Sequence, residues 1–189
     1  MTPGAFILRI AAFIHTLLIL ALVPLGRPLQ RLVEEAVARS GAAEGVLDSA
    51  GAAVALALLC LYFFILLRSG RLRPFLKVLP AILIISILLC LRGFSAWVEA
   101  AHIPIFALLA ILIFSGWDQR GVATVVAASA IGLLDEVLQG MHPQRVFDLY
   151  DIWLNFLSSS LGLLIALPFS TRSRRIASSL CASSSHKRL

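Results

Sequence analysis

Charge is what this 189-residue chain has little of: 14% of its residues are charged and 60% are hydrophobic, with a mean hydropathy of +0.96. That balance excludes an ordinary water-soluble domain, in which about a quarter of residues are charged. Cysteine is scarce too. Cys60, Cys90 and Cys181 are an odd number without ligand spacing, which argues against a disulfide framework or a cysteine-based zinc centre. No HExxH motif is present, and no Ser or Cys stands in an evident activated setting, so zincin-type and nucleophilic hydrolase chemistry lack a signature. The formal net charge of +6 would suggest nucleic acid in a soluble protein, but here the basic residues gather at the edges of apolar runs. We therefore expect no nucleic-acid partner.

What is present is length in the apolar runs. A spanning helix needs roughly 20 apolar residues, and six stretches approach this: Phe6 to Leu25, Ser49 to Leu67, Phe75 to Ala96, Ala101 to Trp117, Val122 to Met141 and Phe147 to Pro168. The expected fold is an all-α, polytopic transmembrane bundle of about six helices occupying residues 1–169. The first run lacks a small-x-small cleavage site and reads as a retained helix rather than a signal peptide. Pro104 is expected in the first turn of the fourth helix, where proline is tolerated. Residues 170–189 are rich in Ser and basic residues and are expected to form a disordered cytoplasmic tail drawn to anionic lipid.

The first connection carries Leu29, Leu32, Val33, Ala36 and Val37 on one helical face, with Arg31, Glu35 and Arg39 spaced four apart on another. This predicts an interfacial helix, or more sharply a lid over a polar site. With both termini inside, eleven Lys and Arg face the cytoplasm and five, Arg27, Arg31, Arg39, Arg92 and Arg145, face outward. The expected location is the bacterial cytoplasmic membrane.

On that orientation Glu99, His102, Asp135, Glu136, Asp148 and Asp151, with Arg92 and Arg145, gather near the outer ends of the last four runs. Asp135 and Glu136 are expected roughly 8 to 10 Å below the outer end of the fifth helix. Asp148, Asp151 and Asn155, at i, i+3 and i+7, share one stripe of the sixth. Below them Ser158, Gly162 and Ala166 continue the stripe, and Ala128 and Gly132 offer small residues on the fifth helix, predicting direct packing of helices five and six. Five acids against two arginines cannot all be ionised in a low dielectric without a proton, a cation or water. Asp148 and Arg145 alone are expected to pair at the interface. His15 is expected to be a neutral imidazole hydrogen-bonded inside the bundle.

The order Glu99, His102, then Asp135-Glu136-x-x-Gln139, then Arg145-x-x-Asp148-x-x-Asp151-x-x-x-Asn155 and a trailing Gly162 resembles the VanZ-like family of bacterial membrane proteins over about residues 94–166. The family's Asp-Lys pair before the histidine and its tyrosine shortly after are replaced here by Val98, Glu99 and Phe106. The first two helices match no signature. The founding member of that family is linked to resistance to the glycopeptide teicoplanin, and the family has no established biochemical activity. The resemblance implies a polar outer-leaflet pocket that binds or acts on a membrane lipid, a lipid-linked envelope precursor or a glycopeptide antibiotic.

Two roles are assigned from these residues. His102, Asp135, Glu136 and Asp151 are the candidates for acid–base chemistry, with Glu136 or Asp151 as base and His102 as proton carrier. Arg92, Glu99, Gln139, Arg145, Asp148 and Asn155 are the candidates for ligand binding, Arg92 or Arg145 holding a phosphate. Whether a chemical step occurs stays open. A non-catalytic shielding protein and a small proton-coupled transporter are the alternatives. No cofactor follows from the sequence. A hard cation held by His102 with Asp135, Glu136 or Asp151 is the lesser variant.

Overall fold

The computed structural model describes residues 3–40, 57, 60–92, 97–117, 120–143 and 145–170, with side chains outside 90–100. Among them all regular structure is helical: α1 (Pro3–Ser40), α2 (60–68), α3 (Leu72–Arg92), α4 (Trp97–Gly116), α5 (Gly121–Met141) and α6 (Leu149–Ala166), closed by a 3-10 turn at Leu167–Phe169. Four helices are long and apolar enough to cross a membrane, and α4 adds a shorter apolar helix. Ile7, Phe13, Leu18, Ile84 and Val126 are each at least half exposed, an outward apolar surface of the kind that lipid covers. These helices mark a membrane protein.

The first run and the amphipathic stretch after it form one helix of 38 residues, not a span followed by a separate interfacial helix. At 1.5 Å per residue it is about 57 Å long, nearly twice a hydrocarbon core. Pro24 and Pro28 lie inside it and each removes a backbone donor. Breaking the helix there would expose further unpaired peptide groups beside lipid, so continuing it costs less. The second expected span is described only at residue 57 and from residue 60 on. The fourth helix begins at Trp97, which puts Pro104 two turns inside it rather than in its first turn. The sixth begins at Leu149, because Asp148 is its N-cap and accepts a hydrogen bond from the Tyr150 N–H at 2.8 Å.

The core lies where α4 and α6 cross. α6 makes its most extensive contact with α4, then α5, then α3, while α1 covers the opposite side of α4. Phe106, Leu109 and Ala110 of α4 join Ile19 of α1 and Ala128 of α5 in one apolar cluster, and Leu89 of α3 joins Leu154 and Leu157 of α6 in another. The small residues set the distances. A Cβ on Gly132 would meet Asn155 Cβ at 2.8 Å, so α5 and α6 do touch through the expected stripe. Gly162, however, faces the backbone carbonyl of Ala107 on α4, not α5. The stripe serves two neighbours: opposite Gly132 it seats α5 at Asn155, and at Gly162 it admits the α4 backbone.

At the end away from the acids, Arg9 donates through Nε to the Gly116 carbonyl at 2.8 Å and lies over the Trp117 ring. Arg71 donates to the Pro168 carbonyl at 2.6 Å and covers Phe169. Both arginines satisfy carbonyls at helix ends, where a cation is favoured. This fixes the vertical register of α1 on α4 and of α3 on α6, and therefore the height of everything at the other end.

A buried polar site where four segments meet

The last two turns of α5 carry the site. Asp135, Glu136 and Gln139 are buried, with Glu136 fully so. Residues three and four apart share a helix face, which lets the Gln139 amide donate to Asp135 Oδ2 at 2.8 Å and to Glu136 Oε1 at 3.1 Å. The second Glu136 oxygen accepts the Asp148 N–H at 3.2 Å. One neutral amide and one peptide N–H thus serve two adjacent carboxylates. The one ion pair among the described residues is Arg39 with Glu35, on the exposed end of α1.

His102 reaches the same place from α4. Its Nδ1 lies 2.9 Å from Asn155 Oδ1, and its ring stacks on Phe106 with centroids 6.0 Å apart. With Asn155 Oδ1 as acceptor, the proton sits on Nδ1 and Nε2 keeps a lone pair. One donor atom each from His102, Asp135 and Glu136 lie within 4.8 Å of one another. No hydrogen bond or ion pair among the described residues joins the imidazole to either acid. Asn155 is fully buried, and its Nδ2 has no hydrogen-bond partner among the described residues.

Beside this cluster lies a partly open cavity of about 180 Å³. Its wall is apolar where Ile19, Leu22 and Leu29 of α1 face Ile105 and Phe106 of α4, and polar where His102, Asp135, Gln139, Arg145 and Gln30 meet. Arg145 stands in the α5–α6 connection, its N–H tied to the His142 carbonyl at 3.0 Å. Its guanidinium presses on α1 at Gly26, where a Cβ would come within 2.7 Å of Nη2. A side chain there would make the guanidinium shift. The buried Arg145 Nε has no acceptor among the described residues.

Of the residues expected at the site, His102, Asp135, Glu136, Gln139, Arg145 and Asn155 converge. Asp148 does not join through its side chain, which caps α6, and contributes only its N–H. It forms no ion pair with Arg145 among the described residues, because Arg145 turns to α1 instead. Asp151, in the first turn of α6, is not one of the three donors within 4.8 Å, but its charge acts on both Asp135 and Glu136. The side chains of Arg92 and Glu99 and the tail from residue 171 lie outside the described residues. His15 bonds through Nε2 to the Ile105 carbonyl at 3.0 Å, as expected of a structural imidazole.

The lid reading reached α1 only from Leu29 onward, and Gly26 and Gln30 were not expected at the site. Gly26, Leu29 and Gln30 line the cavity, and their signal in the sequence is small: a glycine between Pro24 and Pro28, followed by an amide on an otherwise amphipathic helix. The Ser158 and Ser159 hydroxyls, fully buried below Asn155 on α6, have no partners among the described residues; Ser158 was legible only as a packing residue and Ser159 not at all. Comparison of the chain with protein-family models, with curated proteins and with solved structures returns no match.

Proposed function

We propose that this is a VanZ-like protein of the bacterial cytoplasmic membrane whose outward-facing cavity takes the headgroup of a lipid or lipid-linked envelope component, or an amphiphilic glycopeptide. The observation that carries this reading is the cavity's two-sided lining. Ile19, Leu22, Leu29 and Phe106 offer an apolar wall, and Arg145, Gln139 and His102 offer polar groups beside it. An amphiphile meets both at once, and few other ligands do. Arg145 supplies the anion-binding group: its guanidinium is held against Gly26 while its Nε still lacks an acceptor. Residues that carry the family resemblance also serve one another in the fold. Gln139 holds Glu136, the Asp148 N–H holds Glu136, Asn155 holds His102, and Gly162 lets α6 approach α4.

The test is expression in a glycopeptide-sensitive bacterium of the wild-type chain, Glu136→Gln and Arg145→Gln, at matched membrane levels. The wild type is expected to change glycopeptide susceptibility or the envelope lipid profile, and both variants to abolish the change. Equal effects from all three chains would sink the proposal. A new lipid species made only by the wild type assigns a chemical step to His102 and the two acids, whereas altered susceptibility without one assigns binding alone.

A further inference from the structure

We infer that His102, Asp135 and Glu136 form a binding site for one divalent cation of the Zn²⁺ or Mn²⁺ class. Three observations converge on it. The donors are of mixed type, one imidazole and two carboxylates, and lie within 4.8 Å of one another on two helices fixed against each other. Mixed nitrogen and oxygen sets suit Zn²⁺ and Mn²⁺, whereas Mg²⁺ and Ca²⁺ take oxygen alone. Donors about 2.1 Å from a tetrahedral ion stand about 3.4 Å apart, so binding draws the groups together by at most about 1.4 Å from their 4.8 Å limit.

The second observation is charge. Asp135 is 5% exposed and Glu136 is not exposed at all, and no cation forms an ion pair with either among the described residues. Two adjacent carboxylates in a low dielectric need a counter-charge, and a divalent ion supplies two. The third is the support behind the imidazole. With Asn155 Oδ1 as the acceptor of an Nδ1 proton, His102 keeps its lone pair on Nε2. That is how metal-binding histidines are held in place. Asn155 Nδ2, wholly buried and without a partner among the described residues, lies against α5 at Gly132, one turn from the carboxylates. An oxygen carried by the ion, from water or a bound headgroup, is the acceptor it lacks.

The cation site stands on this geometry alone. One consequence rests on the headgroup reading: Asp135, Glu136 and Asp151 outweigh Arg145 and repel an anionic headgroup, and a divalent ion offsets that excess negative charge.

The test uses full-length, tag-free protein in nanodiscs, stripped with a chelator and titrated with Zn²⁺ and separately with Mn²⁺. Metal content after desalting and the Mn²⁺ paramagnetic resonance signal are the readouts. One ion per chain is expected for the wild type. Asp135→Asn, Glu136→Gln and His102→Gln should each lower affinity at least about 10-fold, and Asn155→Ala about 10- to 100-fold with the stoichiometry kept. Wild-type protein that takes up neither ion saturably overturns the site without any variant having to fold. So does affinity unchanged by both carboxylate substitutions. Wild-type protein that takes up neither ion yet still holds lipid at Arg145 would overturn the cation site and leave the headgroup reading standing.

Discussion

Gln139 is the residue on which the site's stability turns, because its one amide serves both buried carboxylates. A hydrogen bond to a charged group contributes about 1.5–3 kcal/mol, and leaving the acceptor buried and unpaired costs more than the bond was worth. Gln139→Leu should therefore lower stability by about 2 kcal/mol or more, read as reduced thermal stability in nanodiscs, and added Zn²⁺ should restore part of it. Gly162 makes a second prediction of the opposite kind. Its Cα lies against the Ala107 carbonyl, backbone that cannot rotate away, so Gly162→Ala should cost about 1–3 kcal/mol by forcing α4 and α6 apart. The chemistry of these residues was legible in the sequence because acids are too expensive in an apolar chain to pass unnoticed. Their partners were less so. Spacing put Asp148 in the stripe with Asp151 and Asn155, but a residue that can cap a helix start stops being part of its face, and nothing in the i, i+3 pattern separates the two roles.

At the scale of the element, α1 departs most from what periodicity suggests. Hydropathy falls after Leu25 and the face becomes amphipathic, which reads as a change of helix; the structure instead runs one helix through Pro24 and Pro28. The hydrogen bonds that those prolines remove leave the two turns around Gly26 the weakest part of α1. These are also the turns that face Arg145 and the cavity. Backbone amides of Leu25, Gly26, Arg27 and Leu29 should exchange with solvent deuterium faster than those of residues 10–19. Uniform protection along the helix would contradict this. Helices α5 and α6 were read nearly to their ends, because each is a single apolar run of spanning length with a polar turn between. The preference of α6 for α4 was not legible. A row of small residues says that some helix comes close, not which one.

Over the whole molecule the two ends differ in chemistry. Arg9 and Arg71 close helix ends on one side, and Arg120 stands beside the start of α5 there, while His102, Asp135, Glu136 and Arg145 meet on the other. The all-helical bundle follows from composition and run length alone, whereas a cavity built jointly by α1, α4, α5 and a connection needs the fold. If the acidic end faces outward, as the positive charges propose, Val146→Cys, at a site 81% exposed, should label with an impermeant thiol reagent on intact cells, in a background with Cys60, Cys90 and Cys181 changed to Ser. Arg120→Cys should label only after the cells are opened, and the reverse pattern would invert the orientation. The most direct measurement of the central claim is native mass spectrometry of the tag-free protein taken from bacterial membranes with its lipids. The account predicts one anionic lipid or lipid-linked species per chain, retained by Arg71→Gln at the far end and lost from Arg145→Gln. Equal lipid occupancy in the two variants would contradict it.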